Sequence, residues 1–255
     1  MQTRPGRLRQ LDWLIARPVA HRGLHDAENG VIENTSCAVE AALAGGYAIE
    51  VDLQLTGDGE AVVFHDYSLD RLTTSTGKLL EQTTTQIQSA QFRACGDRIQ
   101  TLGELLDQVD GKATLLIELK ANWRNPGPLE KRVAAVLDSY SGPVGVMSFD
   151  PRSIAILRNQ APQVVRGLTT EKFRIGQGWR KLLPVARRLS LRHMAEFGDA
   201  DPHFAAINVQ DLPCAPSRRF LARGLPVLTW TVRTTDERSR ASRFADQMIF
   251  EGFHP

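Results

Sequence analysis

Eight short aliphatic runs recur along the chain, and most of the intervals between them read as helices. The runs are Pro18–His21, Ala48–Leu53, Thr114–Lys120, Val144–Phe149, Val164–Thr169, Phe204–Val209, Pro226–Val232 and Gln247–Phe250. Near-continuous apolar runs mark strands buried on both faces, and their alternation with helices builds a parallel sheet. Asn34/Thr35 and Asp150 before Pro151 signal helix starts, and Gly45 and Gly224 signal helix ends. An Arg-rich stretch from about Trp179 to Met194 reads as one longer helix. Eight such units in 255 residues predict one (β/α)8 barrel, an α/β TIM-barrel fold. The alternative is a doubly wound open sheet, which usually carries a Gly-rich phosphate loop after its first strand. Here that place holds His21-Arg22-Gly23-Leu24-His25-Asp26. A single domain over 1–255 is therefore expected. Residues from about 66 to 100 lack periodicity and are expected as an insertion over the barrel mouth, between the second strand and second helix.

Composition removes several other classes. A net charge of +2, spread along the chain, offers nucleic acid no footprint. The densest arginine clusters, Ala186–His193 and Ser217–Arg223, read as solvated helix faces. Cys37, Cys95 and Cys214 lack C-x-x-C spacing, which predicts buried thiols in a reducing compartment. Arg4, Arg7 and Arg9 precede only a short apolar stretch that holds Asp12, unlike a signal peptide. No window approaches a membrane span, so a cytoplasmic location is expected.

The second strand holds an oddity that points to chemistry. Glu50 and Asp52 alternate with Ile49, Val51 and Leu53, so two acids share one strand face. Adjacent carboxylates repel, and burying either one unpaired is costly. Glu118 and Lys120 share a face of the next strand by the same period. In a barrel the functional end is the carboxyl-terminal end of the strands. Three carboxylates gathered there could surround a hard cation, Mg²⁺ or Ca²⁺, which would cancel the repulsion. A salt bridge from Glu50 or Asp52 to Lys120 or Arg22 would cancel it too. After the second strand, Gly57-Asp58-Gly59 signals a hairpin. With Asp58-Gly59 as a two-residue turn, His65 comes back opposite Asp52. His21 and His65 then flank the acids, with Arg22 beside them. Phosphodiester cleavage needs a base, an acid and positive charge on the non-bridging oxygens. His21 and His65 can supply the first two, and Arg22 and a cation the third. The remaining histidines, His25, His193, His203 and His254, read as surface residues with only a weak claim to the mouth. No Ser, Thr or Cys inside this cluster demands a covalent role. The attacking oxygen is thus a hydroxyl of the substrate itself, the favoured route, or a metal-bound water.

"AHRGLHD", "ENTSCAVEAALAGGYAIEVDLQLTGDGEAVVFHDYSLDRLT", "IELK" and "LTWTV" resemble the glycerophosphodiester phosphodiesterase family. The likeness is dense from Val19 to Thr73, sparse to Glu118 and collinear to the end. It implies a TIM barrel that uses a divalent cation to hydrolyse glycerophosphodiesters to glycerol 3-phosphate and an alcohol. It further implies that His21 and His65 are the acid/base pair and that Arg22 binds phosphate. Glu50, Asp52 and Glu118 match the family's metal ligands, and Lys120 and Trp230 match residues lining its substrate pocket. Glu33 and Asn34 match the "EN" that shapes the mouth, although Asn34 reads equally well as a helix cap. Three features depart from the family: Ile32 before "ENT", Arg233 where "WTVN" has asparagine, and the terminus "FEGFHP". Two alternatives stand beside this reading. One is a phospholipase D-type enzyme acting on lysophospholipids. The other is a catalytically silent barrel that only binds phosphorylated ligands. The expected partner is a small-molecule diester.

Overall fold

The computed structural model describes residues 9–174 and 183–255. Eight parallel strands form a closed sheet: β1 (Val19–Ala20), β2 (Ala48–Leu55), β4 (Leu115–Leu119), β5 (Val144–Ser148), β6 (Val165–Thr170), β7 (Phe204–Asn208), β8 (Val227–Val232) and β9 (Gln247–Phe250). Closure comes from β1, which pairs with both β2 and β9. β3 (Ala61–Val63) is the extra, antiparallel strand that pairs with β2. The strands end within a residue or two of the runs read from the sequence. Of the expected Arg-rich helix, Val185–Arg192 is helical, and the part around Trp179 lies outside the described residues.

The period-2 alternation of β2 sorts its side chains as the barrel requires. Ile49, Val51 and Leu53 face outward and pack with Val39 and Ala42 of helix α1 (Ser36–Ala44) in one large core cluster. Inside the barrel, Val19, Ala48, Leu116, Met147, Phe204, Leu228 and Ile249 form an apolar floor with Leu14 and Ile15 of an amino-terminal 3-10 helix. Two glycines make room for the largest side chain of that floor. A Cβ at Gly167 would lie 2.4 Å from the Phe204 ring, and one at Gly145 would lie 3.1 Å from Leu116. Overpacking of this kind costs about 1–3 kcal/mol. Gly167→Ala is therefore expected to lower the unfolding free energy measured in urea by that amount, and Phe204→Leu in the same chain to recover part of it. Additive losses in the double variant would mean that the two side chains do not compete for space.

The β2–β3 hairpin differs from the expected register by one residue. Leu53 pairs with Val63, and the Phe64 N–H donates to the Asp52 carbonyl at 3.0 Å. Phe64, not His65, therefore stands opposite Asp52. The loop is one residue longer than a two-residue turn: Thr56 N–H donates to the Glu60 carbonyl at 2.9 Å, and Gly59 takes φ +89°. The Asp58 carboxylate accepts from Thr84 N–H at 2.9 Å and Thr84 Oγ at 2.8 Å. That ties the loop to helix α2 (Thr84–Ser89) of the following segment. This segment packs Leu69, Leu79, Ile87, Phe92 and Ile99 with Ile32, Val62 and Phe64 into a cluster of its own.

Two smaller expectations also fall differently. All three cysteines are free, but Cys37 is exposed and Cys95 and Cys214 are half-buried, so none is a buried thiol. The cap of α1 is Thr35, whose hydroxyl accepts from Ala38 N–H, which leaves Asn34 for another task. Among the described residues no helix is long and apolar enough to cross a membrane.

Candidate active site

The β2–β4 ladder sets Asp52 beside Glu118 and Glu50 beside Leu116. Glu50 therefore sits at the upper edge of the apolar floor. Glu50, Asp52 and Glu118 are 1%, 2% and 8% exposed, and one carboxylate oxygen from each lies within 4.8 Å of the others. Among the described residues two cations, Lys120 and Arg22, meet this group. Lys120 Nζ lies 2.8 Å from Glu118 and 3.4 Å from Asp52, and Arg22 Nε lies 3.2 Å from Asp52. Burial opposes the charge on Asp52, but Lys120 and Arg22 outweigh it and hold the carboxyl well below the usual range. The same pairing raises Lys120 against its own burial.

Glu50 is the acid left over. It accepts the Arg22 backbone N–H at 2.9 Å. Burial, and then the charges of Asp52 and Glu118, push its carboxyl well above the ordinary carboxylate range. The salt bridges expected to Arg22 and Lys120 are thus formed, yet three carboxylates face two cations. A proton or a divalent cation completes the balance, and an all-oxygen donor set fits Mg²⁺ or Ca²⁺.

Each of the two histidines is held by a carboxylate, and each carboxylate by an arginine. His21 Nδ1 lies 2.6 Å from Glu251 Oε2, and Arg233 grips Glu251 through Nε at 3.0 Å and Nη2 at 3.1 Å. His65 Nδ1 lies 2.7 Å from Asp66 Oδ1, and Arg71 grips Asp66 through Nε at 2.5 Å and Nη2 at 3.0 Å. With Nδ1 engaged as donor, Nε2 of each ring is the nitrogen left for proton transfer, an acceptor on a neutral ring and a donor on a protonated one. Burial lowers the His21 pKa, with Glu251 opposing. Burial also opposes charge on Glu251, but its contacts with His21, His25 and Arg233 hold it well below the usual range.

His21, Arg22, Glu50, Asp52, His65, Glu118, Lys120 and Trp230 all line one pocket of about 330 Å³. The buried Trp230 indole N–H has no hydrogen-bond partner among the described residues. A wider cleft of about 730 Å³ shares His65, Lys120, Phe149 and Trp230 and adds Tyr67 and Trp123. Glu33 and Asn34, expected at the pocket, do not line it. Glu33 accepts from Arg22 Nη1 at 2.7 Å and from Arg71, while Asn34 donates to Asp52 Oδ2 at 3.0 Å and accepts the Asp52 backbone N–H at 3.1 Å. They stand behind the site and hold its members. Arg22 and Asn34 both take left-handed φ, +56° and +59°, a strained conformation for a non-glycine residue.

Glu251 and Arg71 are the site neighbours that sequence reading missed, and His25, expected at the surface with a weak claim to the mouth, is a third neighbour. Glu251 ends the last strand, where a polar residue at the barrel mouth is a signal in its own right. Arg71 lies five residues after Asp66 in the motif "HDYSLDRLT", but no periodicity shows that it folds back. His25 is half-buried at the mouth, whereas His193 is exposed and His203 accepts the Arg166 N–H at 3.2 Å, far along the chain from the cluster.

A closed (β/α)8 barrel with this constellation at its mouth places the chain among the barrel hydrolases. More narrowly, residues 21–252 match the model of the glycerophosphoryl diester phosphodiesterase family, and the chain belongs to that family. A glycerophosphodiester phosphodiesterase of Caldanaerobacter subterraneus is 34% identical over 160 residues, which is 59% of this chain and 65% of that protein. Glycerophosphodiester phosphodiesterase 1 of Bos taurus is 29% identical over 253 residues, covering 87% of this chain and 73% of its own. The solved structure of an Oleispira antarctica phosphodiesterase in complex with the product sn-glycerol-3-phosphate superposes with a TM-score of 0.71 at 20% identity. That superposition covers 91% of both chains and shows a shared fold.

Proposed function

We propose that this chain hydrolyses glycerophosphodiesters to glycerol 3-phosphate and an alcohol, with a divalent cation held by Glu50, Asp52 and Glu118. The observation that carries this reading is the pair of carboxylate-anchored imidazoles facing one pocket that also holds Arg22, Lys120 and the three acids. The cation, when bound, supplies positive charge against the phosphate and the attacking oxygen. Arg22 and Lys120 add fixed positive charge for the non-bridging oxygens. His21, neutral and anchored by Glu251, takes the proton of the nucleophile. His65, which borders both the pocket and the wider cleft, gives a proton to the departing alcohol. Trp230 Nε1 offers a donor to the bound diester.

The nucleophile is the substrate's glycerol 2-hydroxyl. A hydroxyl tethered next to phosphorus reaches effective molarities of roughly 10⁵–10⁸ M. It closes a five-membered cyclic phosphate, which water opens in a second step. A 2-deoxyglycerol diester is accordingly expected to bind but to turn over far more slowly, with the cyclic phosphate of the normal substrate visible transiently by phosphorus NMR. Equal turnover of the deoxy substrate would assign the attack to water instead. The aromatic wall of the wider cleft supports a second reading, a phospholipase D-type activity on lysophospholipids. Chelator-treated protein supplied with single metals and a panel of soluble and micellar diesters separates the readings by the release of glycerol 3-phosphate from the soluble diesters and of lysophosphatidic acid from the lysophospholipid micelles. No release from any of them would favour the silent phosphate-binding barrel.

A further inference from the structure

A second group of ligating atoms meets at His21, and its chemistry differs from that of the carboxylate cluster. One ring nitrogen each of His21 and His25 and a Glu251 carboxylate oxygen lie within 4.8 Å of one another, and the nitrogens beside Glu251 Oε2 are His21 Nδ1 and His25 Nε2. The ladder dictates part of this, because β1 and β9 pair Ala20 with Phe250 and so bring His21 alongside Glu251. The turn after β1 brings His25 back, fixed by the Leu24 N–H on the Ala38 carbonyl at 2.9 Å and the Asp26 N–H on the Val31 carbonyl at 2.8 Å. His25 Nε2 stands 3.8 Å from Glu251 Oε2. That is beyond hydrogen-bond reach. The same nitrogen is buried and has no hydrogen-bond partner among the described residues. A buried imidazole nitrogen thus stands near a carboxylate oxygen at more than hydrogen-bond distance, and His21 Nδ1 meets that same oxygen at 2.6 Å.

Two imidazoles and one carboxylate form a donor set that suits Zn²⁺, with water as the fourth ligand. Three carboxylates suit Mg²⁺ or Ca²⁺. The two clusters therefore sort divalent ions by softness. We infer that His21, His25 and Glu251 form a Zn²⁺ site whose occupancy inhibits the enzyme. Zinc takes the Nδ1 lone pair of His21, and the Nδ1 proton moves to Nε2, so the ring stays neutral. Nε2 then carries hydrogen where the reaction needs a lone pair, and His21 no longer accepts a proton from the nucleophile. Arg233 opposes the ion, since it grips both oxygens of Glu251. Its side chain is half-exposed, however, and ion pairs of that kind are weak. Arg233 can keep Oε1 while Oε2 turns to the metal.

The inhibition rests on the proposed role of His21, whereas the binding does not, so the test reads both. Zn²⁺ is titrated calorimetrically into metal-stripped Glu50→Gln/Asp52→Asn protein, with circular dichroism confirming the fold. One equivalent is expected to bind, and adding His25→Ala should remove it. In wild-type protein with saturating Mg²⁺, Zn²⁺ is expected to cut turnover at least tenfold, and further Mg²⁺ should not restore it. Relative to each variant's own zinc-free rate, His25→Ala should raise the half-inhibitory Zn²⁺ concentration by about tenfold or more. Arg233→Gln should lower it. Binding that survives His25→Ala would place zinc elsewhere on the chain, and inhibition that excess Mg²⁺ reverses would place it at the carboxylate cluster; either result overturns the inference. Should the chain cleave no diester, the calorimetric titration alone still decides whether the site exists.

Discussion

Excess chelator is expected to abolish turnover and lower the melting temperature, and Mg²⁺ or Ca²⁺ to restore both. Glu50 is the reason. It is buried at the edge of the apolar floor beside Asp52 and Glu118, and its carboxyl is pushed well above the ordinary range. A carboxyl whose folded pKa lies above its unfolded value destabilises the fold as it ionises. Its contribution is intact below the unfolded value, about 4.3. That contribution is lost as pH rises through the raised folded value. Asp52 runs the other way: its depressed pKa contributes stability above the unfolded value, lost only as pH falls through the folded one. Cation binding must displace the proton on Glu50, so apparent metal affinity should rise with pH. A cation present at about 100 times its Kd adds about 2.7 kcal/mol. In a domain of this size that is a shift of roughly 5–10 °C. Melting curves with and without Mg²⁺, recorded from acid to neutral pH, should therefore diverge as the pH increases. Glu50→Gln removes the surplus charge. It should raise the melting temperature of metal-free protein while cancelling most of the gain from metal. Full turnover in thoroughly metal-free enzyme would return the three acids to a salt-bridge role with Arg22 and Lys120.

The carboxylate cluster was legible in sequence because β2 obeys its period strictly. Ile49, Val51 and Leu53 can only face the helices, which forces Glu50 and Asp52 inward. The same logic placed Glu118 and Lys120, and their closest contact is the 2.8 Å ion pair. The hairpin register was less legible, because "TGDGE" is compatible with more than one turn. Asp58 serves Thr84, twenty-six residues on, and that partner decides the loop length. Asn34 and Glu33 sit at a turn whose left-handed backbone points them behind the site, which no hydrophobic pattern encodes. Glu251 meets His21 across 230 residues of sequence, and only the closure of the barrel brings them together. The acids and histidines that face the pocket could be read from the chain, whereas the groups that anchor the histidines depend on tertiary closure.

That difference bears on how the two histidines divide the proton work. Both His21→Ala and His65→Ala should lose about 10²–10⁴-fold in turnover on a natural diester, the usual range for general acid–base help. The substitutions should separate when the leaving group changes. Departure of an alkoxide needs a proton, while a nitrophenolate leaves readily without one. His65 borders the wider cleft that would hold the alcohol, so His65→Ala should regain most of its lost rate on a nitrophenyl ester of glycerol phosphate. His21→Ala should not, because the nucleophile still carries its proton whatever the leaving group. Glu251→Gln offers a milder version of the His21 defect. The amide still accepts a hydrogen bond from Nδ1 but no longer stabilises the imidazolium formed in the transition state. Its loss should fall on kcat rather than KM, and should persist with the activated ester. If His21→Ala were the variant rescued by nitrophenolate, the acid and base would have to be exchanged. The wider cleft would then hold the glycerol, not the alcohol.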